Sequence, residues 1–266
     1  MSDVFFEILS PLPLNRHEDA RKLFQLWAEN AFNFLPNRWG LYEPLRHHFS
    51  MSSLDEAIRT WEFMFLVKRT ISPKLEASIF MQYGPHRDHG TWKISLKNVR
   101  DFDQPAFCKL LECSAAAFSA DFGLVHTVTE TEIQKGIAHG SIGFLDTAKT
   151  EKHLYVASLM LRKCVPDIYW TTVFGRPYVE LFSRERLLSC PAHSIKELET
   201  GAIVIQLTPE LKDIAAEEAA FERVRQDARN HLNNDAFFDP AKGMDYQYRV
   251  PEFVWDPPFS KDYRYD

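Results

Sequence analysis

Apolar runs separated by turn-forming residues organise the chain most clearly between residues 167 and 191. Large apolar and β-branched residues crowd together just before Gly175, which is typical of a core strand. They are Tyr169, Trp170, Val173 and Phe174. Gly175 ends this strand, and Pro177 suits the first turn of a helix, where its missing N–H group costs nothing. Apolar residues then recur at helical spacing, at Tyr178, Leu181, Phe182, Leu187 and Leu188.

The first 130 residues combine strands with amphipathic helices. Residues 4–9 predict an opening strand, and Asn15 with Glu18 predicts a capping box that starts a helix. A second capping box, Ser53 with Glu56, predicts a helix through Ile58, Trp61, Phe65 and Leu66. The remaining predicted elements are a hairpin of strands 76–83 and 92–99, a helix over 105–118, a strand over 122–128, and a helix starting at Thr129 and Glu132.

The last third of the chain predicts a strand, a long helix and an arm. Ser194 and Glu197 predict a short capped turn, and residues 202–207 predict a strand. The run Thr208-Pro209-Glu210 predicts the start of a helix. The apolar stripe of that helix is Leu211, Ile214, Phe221, Val224, Ala228 and Leu232, and its charged residues predict a solvated surface. The segment 233–266 is too aromatic for a free tail, and we expect an arm laid on the domain surface.

These elements predict an α+β fold with largely antiparallel sheet flanked by amphipathic helices, because no helix follows each strand regularly enough for a parallel sheet. The order of elements is compatible with two halves of similar size. We expect an N-terminal half over 1–140, a C-terminal half over 150–232 and the aromatic arm over 233–266.

Composition narrows the classes of function. The 266 residues carry a net charge of −6 with a pI near 5.9. This charge disfavours a general nucleic-acid binder, which needs a basic face. We expect no membrane span, since no apolar run approaches the ~20 residues required. Acids near the N-terminus argue against a signal peptide, so we expect a soluble cytoplasmic protein. The four cysteines lack zinc-site spacing and predict buried thiols in a reducing compartment.

Candidate chemistry is sparse. The run from His86 to His89 matches the end of the H-x-H-x-D-H pattern of metallo-β-lactamase-like hydrolases, but Gly84 stands where the first histidine would be. The sequence therefore favours an exposed polar turn over a metal site. It contains no phosphate-binding loop, dinucleotide fingerprint or G-x-S-x-G elbow. We expect a protein that is not an enzyme and has no cofactor.

A set of apolar, turn and charged residues in the second half matches a known family pattern: Tyr169-Trp170, Phe174-Gly175, Tyr178, Arg184-Glu185, Leu187-Leu188, Pro191-Ala192 and Gly201 with Gln206-Leu207-Thr208. On these residues, the second half resembles the bacterial immunity protein 52 family and related proteins found beside polymorphic toxins and type VI secretion effectors. A weaker likeness lies in the first half, at 36–40, Glu43-Pro44-Leu45, Trp61 and Lys68-Arg69. These residues are of types found in cores and turns, and the resemblance implies no catalytic residue.

The resemblance implies an immunity factor that binds and blocks a cognate toxin or effector in the cytoplasm. Our candidate contacts lie in the polar turn and the aromatic arm: His86, Arg87, Asp88, His89, Trp255 and Tyr263. Two alternatives remain open. One is a metal-dependent or other hydrolase of an unrecognised type, and the other is a structural or regulatory assembly partner that uses the arm. The sequence leaves the oligomeric state open.

Overall fold

A computed structural model describes residues 2–14, 16–61, 64–80, 88–99, 102–129, 131–132 and 154–255. The strands are β1 Ser2–Ser10, β2 Arg38–Gly40, β3 His47–His48, β4 Met64–Arg69, β5 Leu75–Phe80, β6 Gly90–Val99, β7 Phe122–His126, β8 Thr171–Phe174, β9 Ser194–Glu197 and β10 Ile203–Gln206. They form a ten-stranded sheet in the order β3-β2-β4-β5-β6-β1-β7-β8-β10-β9. Each pairing is antiparallel, so the predicted α+β class is confirmed.

Eight α-helices lie in the described part of the chain. They are α1 His17–Ala31, α2 Leu54–Thr60, α3 Gln104–Ala117, α4 Ser158–Leu161, α5 Arg176–Phe182, α6 Arg184–Leu188, α7 Asp213–Ala216 and α8 Glu218–Leu232. Within the described ranges, none is long and apolar enough to cross a membrane.

One face of the sheet, which we name the helix face, packs on α1 and α3. Phe6 of β1 contacts Phe107 of α3, and Trp92 of β6 contacts Trp27 of α1. All four side chains are buried. Because side chains alternate along a strand, the residues next to Phe6 and Trp92 point to the opposite face.

The opposite face, which we name the back face, is covered over β7 and β8. Tyr178 of α5 packs on Phe122 and Phe174, and Phe221 of α8 packs on His126. Over β4 and β5 the back-face side chains are instead half-buried or exposed. The back face therefore has a covered part and an open part, with β1 and β6 between them.

The two halves expected from the sequence share one sheet and one apolar core. Pairing of β7 with β8 joins them directly, and the core continues from Phe5 to Phe237. Residues 141–149, between the two expected halves, lie outside the described residues. The three domain limits stay predictions.

Gly175 is required by close packing rather than by an unusual φ angle. A Cβ atom at this position would lie 2.1 Å from the Ala120 carbonyl oxygen. Its amide donates to the Asp121 carbonyl at 2.9 Å, which holds the β8–α5 turn against the loop before β7. The predicted strand, turn and pair of helices around this glycine are confirmed.

Several local predictions are wrong, and each has a physical reason. The helix that starts at Leu54 ends at Thr60, and Phe65 lies in β4, because Phe65 and Val67 alternate as buried residues of a strand. The capping box forms at Ser50 and Ser53 instead of Ser53 and Glu56. Asn15 lies outside the described residues.

Two further corrections concern the C-terminal third. Residues 194–197 form the edge strand β9 rather than a capped turn. The segment after Thr208 stays non-helical through Lys212, because the Gln104 side chain binds the Pro209 carbonyl and the Leu211 amide. The Asp213 carboxylate accepts the Glu210 N–H group at 2.9 Å. By contrast, the capping box of Thr129 and Glu132 is confirmed.

Candidate functional site

The open part of the back face contains a groove of about 220 Å³, which we name the sheet groove. Strand register builds its floor, because Ser78 of β5 pairs with Leu66 of β4 and with Lys93 of β6. Its lining residues are Glu43, Leu45, Leu66, Val67, Glu76, Ala77, Ser78, Lys93, Ser95 and Lys97. The groove thus presents mainly polar side chains on a rigid antiparallel sheet.

Most charged groups of the sheet groove are already paired. Lys68 binds Glu76 at 2.8 Å across β4 and β5, and Lys97 lies 3.4 Å from Asp3. The Glu43 carboxylate accepts the Leu45 N–H group at 3.3 Å. Exposed ion pairs of this kind stabilise a fold by only about 0–1 kcal/mol, so these pairs contribute little to stability.

Lys93 differs from these lysines. It is half-buried, and its ammonium group forms neither a salt bridge nor a hydrogen bond with any described residue. Its ammonium group lies 5.1 Å from the centre of the Tyr155 ring, a cation–π contact. Burial lowers the pKa of Lys93, and the neighbouring Glu7 opposes this effect.

Glu7 of β1 does not line the sheet groove, but it is the cross-strand neighbour of Lys93. It is fully buried, and its Oε2 atom accepts the Val156 N–H group at 3.0 Å. Its Oε1 atom has no hydrogen-bond partner within the described chain. Burial raises the pKa of Glu7 from 4.5 to about 7, although Lys93 and the Val156 N–H group act in the opposite direction.

The covered part of the back face contains a buried charge cluster around Arg225. Its guanidinium binds Glu132 at 2.5 Å, lies 3.5 Å from Asp167 and also binds Glu222. Burial would lower the pKa of Arg225, but Asp167 and Glu132 hold it above its usual range. Since Arg225 is only 3% exposed, the prediction of a solvated surface for the charged residues of this helix is wrong at this position.

His126 completes the charge cluster. Its Nε2 atom lies 3.0 Å from Glu132, and its Nδ1 atom accepts the Trp170 N–H group at 3.2 Å. An accepting Nδ1 places the ring proton on Nε2, which therefore donates to Glu132. Burial would raise the pKa of Glu132, but His126, Arg225 and the Thr129 N–H group hold it well below its usual range.

A second buried polar cluster joins His89, Asp121 and Ser158. The His89 ring lies 2.7 Å from the Ser158 hydroxyl through Nδ1 and 3.1 Å from Asp121 through Nε2. The His89 backbone N–H group also donates to the Ser158 hydroxyl, at 2.6 Å. The Ser158 hydroxyl and both His89 ring nitrogens have hydrogen-bond partners when the hydroxyl donates to Nδ1 and the Nε2–H group donates to Asp121. Burial raises the pKa of Asp121, and His89 opposes that shift.

Serine, histidine and aspartate are also the groups of nucleophilic acyl transfer, where the serine binds Nε2 and the aspartate binds Nδ1. In this cluster the two ring nitrogens are exchanged. Here the cluster is covered by the arm, because Phe253 and Trp255 pack on the His89 ring with centroid distances of 4.8 and 4.7 Å. Ser158 is 8% exposed and His89 is 2% exposed. The cluster therefore ties the arm, α4 and the strand β6 together.

The candidate contacts from the sequence fall into two groups. His86, Arg87 and Tyr263 lie outside the described residues. Asp88 is half-buried and binds Arg162 at 3.0 Å, whereas His89 and Trp255 are buried against each other. The expectation of an exposed polar turn is therefore wrong for His89. The role of these residues in partner contact stays a prediction.

Metal-binding chemistry finds no support in the described part of the chain, where no three histidine, cysteine or acidic residues are grouped as ligands. Both ring nitrogens of His89 already have protein partners. The four cysteines are free thiols, and burial raises the pKa of Cys164 and Cys190 to about 12.

Sequence reasoning missed Glu7 and Arg225, although both positions carry a signal. Glu7 lies between Phe5 and Leu9 on one face of a strand, where a buried side chain is expected. Arg225 follows Phe221 by four residues and thus occupies the apolar stripe of its helix. A charged residue at a core position predicts a buried partner of opposite charge. The partner Asp167 cannot be identified from the sequence, because it lies far from Arg225 in the chain.

No protein-family model and no curated protein matches the chain. Among solved structures, it is similar to Pseudomonas aeruginosa T6SS protein PA0821, with a TM-score of 0.49 and 14% sequence identity. The match covers 91% of this chain and 86% of that chain. A likeness of this strength carries no argument about function. The resemblance to the immunity protein 52 family stays a hypothesis.

Proposed function

We propose that the protein binds and neutralises a bacterial toxin or effector protein in the cytoplasm, as the resemblance to the immunity protein 52 family implies. The observation that supports this function best is the sheet groove, a rigid and polar surface on the open part of the back face. An immunity protein needs a stable scaffold with a complementary surface, and it needs no catalytic group.

The shape of the sheet groove favours a protein over a small ligand. Small-molecule sites are mainly apolar cavities of ~300–1,000 Å³, whereas this groove is smaller and lined by charged residues and serines. Two strands of six residues, with ~3.4 Å per residue and ~4.8 Å between strands, give the open part an area of roughly 200 Å². A stable interface buries about 800 Å² on each partner, so residues at the rim must contribute.

Tyr42 is the strongest rim candidate. It is 66% exposed, and it precedes the Glu43–Leu45 segment that lines the groove. Exposed aromatic residues beside a polar groove are typical energetic centres of protein interfaces. We therefore expect Tyr42→Ala to weaken the toxin complex about tenfold or more.

Co-expression with the protein encoded by the neighbouring gene tests the proposed function. Rescue of growth, together with a nanomolar complex in calorimetric titration of the two purified chains, is the expected result. Tyr42→Ala should weaken that complex, while the matched variant Tyr246→Ala, at an exposed tyrosine of the arm, should not. Absence of both binding and rescue would contradict the proposal.

A hydrolase is the second candidate, and the Ser158–His89–Asp121 cluster is the observation that favours it. Its test is labelling with a fluorophosphonate probe, which forms a bond to an activated serine and releases fluoride. Labelling that disappears in Ser158→Ala, with Ser183→Ala as the control, would favour a hydrolase. An unlabelled wild-type protein would remove this candidate.

A further inference from the structure

Among the described residues, the Lys93 ammonium group of the sheet groove forms no salt bridge and no hydrogen bond, and it lies 5.1 Å from the centre of the Tyr155 ring. The sheet places two hydroxyl groups beside Lys93 on the same face: Ser78 is its cross-strand neighbour, and Ser95 follows two residues along β6. Neither serine hydroxyl has a hydrogen-bond partner among the described residues. Cross-strand neighbours have Cβ atoms about 5 Å apart, so one ligand can reach all three side chains.

We propose that Lys93, Ser78 and Ser95 form a subsite for a single carboxylate group of the partner protein, an aspartate or glutamate side chain. This inference rests on the proposed function, because it names the chemistry that the same groove recognises. An ammonium group and two hydroxyl donors supply charge-assisted hydrogen bonds to the two carboxylate oxygens.

The surrounding charges favour a single carboxylate over a phosphate chain or an acidic run. Glu43 and Glu76 line the same groove and repel dense negative charge. Glu76 already binds Lys68, and Lys97 already lies beside Asp3, so neither lysine adds a free cation. Glu7 faces Lys93 from the interior, where it accepts the Val156 N–H group. One negative group is therefore the occupant that the groove accommodates.

The subsite can be tested without knowing the partner. The probe is the peptide acetyl-Gly-Gly-Asp-Gly-Gly-amide, and its Asn counterpart lacks only the charge. Titration of the ¹⁵N-labelled full chain should shift backbone amide signals of β5 and β6 with the Asp peptide and at least threefold less with the Asn peptide.

Three variants sharpen this test. Lys93→Met should abolish the shifts and Lys93→Arg should retain them. Lys196→Met removes a strand lysine that is already bound to Glu112 at 2.5 Å, so it should behave as wild type. Circular dichroism and thermal unfolding confirm that each variant is folded. Equal shifts with both peptides, or unchanged shifts in folded Lys93→Met, would overturn the subsite.

The same variants separate failure of the subsite from failure of the proposed function. In a complex with the neighbouring protein, Lys93→Met should weaken affinity about tenfold, as expected when one partner of a charge pair is removed. A complex insensitive to Lys93→Met would refute the subsite and leave the immunity function standing. Peptide binding without any neighbouring complex would refute the immunity function and leave the subsite standing.

Discussion

The two parts of the back face use polar residues in opposite ways. In the covered part, Arg225, Glu132 and His126 are buried, and Arg225 and His126 both form hydrogen bonds with the Glu132 carboxylate. In the open part, Lys93, Ser78 and Ser95 are half-buried, and the polar group of each side chain lacks a hydrogen-bond partner within the described residues. The same sheet therefore closes one group of polar side chains inside the fold and leaves another group accessible. We therefore expect stability to depend mainly on the covered part and, under the proposed function, recognition to depend on the open part.

Glu7 marks the boundary between these parts. It pairs with Lys93 on one side of β1 and with Leu124 on the other. It is as buried as the covered cluster, yet one of its carboxylate oxygens has no partner among the described residues. We therefore expect mutations to affect stability strongly on one side of Glu7 and weakly on the other.

The largest effect is expected for Arg225→Met in the covered part. Removing one member of a buried ion pair leaves uncompensated charge on Glu132 and Asp167, which typically costs about 3–5 kcal/mol. Urea unfolding followed by circular dichroism measures this loss. Arg223→Met makes the same change at an exposed position of the same helix, and a shift above ~0.5 kcal/mol there would argue against a specific role for the cluster.

Glu7 and Glu132 should affect the free energy of unfolding in different pH ranges. Burial raises the pKa of Glu7 to about 7, so the folded state binds the extra proton and stability falls as pH rises from 4.5 to 7. The expected loss at pH 7 is about 3 kcal/mol. Glu7→Gln should remove this slope in urea unfolding curves measured across that interval. An unchanged slope in the variant would contradict the assignment.

Glu132 contributes stability in a different pH range. Its pKa is held below the usual value, so its contribution is present above pH 4.5 and is lost as pH falls below that value. Glu132→Gln should therefore flatten the acid side of the stability profile, whereas Glu7→Gln should flatten the neutral side. Identical profiles for the two variants would show that the parts of the back face are not distinct.

A smaller effect is expected for Trp255→Ala, which removes the arm residue that covers His89. The indole is 8% exposed, and the loss of its burial should cost about 2 kcal/mol. Because the contact lies near the end of the described arm, limited proteolysis between residues 239 and 250 should also become faster. Val254→Ala, at a residue 71% exposed, is the control and should behave as wild type.

The smallest effect on stability is expected in the sheet groove. Ser78→Ala and Ser95→Ala remove hydroxyl groups that bind no described residue, so unfolding free energies should stay within ~0.5 kcal/mol of wild type. A loss above 1.5 kcal/mol would show that these serines stabilise the fold. They would then no longer be free for a partner.

Local sequence patterns predicted much of the fold, because the spacing of apolar residues and the position of turn-forming residues determine individual helices and strands. Gly175 with Pro177, and the capping box at Thr129, are examples in which neighbouring residues define the structure. Local patterns gave wrong predictions where contacts with residues far away in the chain stabilise a different backbone conformation. The helix expected after Thr208 is displaced by Gln104, which is over one hundred residues away in the chain.

The candidate site was less predictable than the fold. The sheet groove depends on which strand faces stay open, and that follows from the packing of α5, α8 and the arm rather than from β4 to β6 themselves. Alternation does predict that Lys93 and Ser95 share one face. It does not tell whether a helix covers that face. His89 similarly appeared as part of a polar turn, because Asp121 and Ser158 lie far from it in sequence.

The most direct test of the central claim is a steric block of the sheet groove. Ser78→Trp fills the floor of the groove, and Thr200→Trp places the same side chain on the exposed β9–β10 turn at the far edge of the sheet. Calorimetric titration with the neighbouring protein should give at least 100-fold weaker binding for Ser78→Trp and wild-type affinity for Thr200→Trp. Equal affinities for the two folded variants would contradict the assignment of recognition to the open part of the back face.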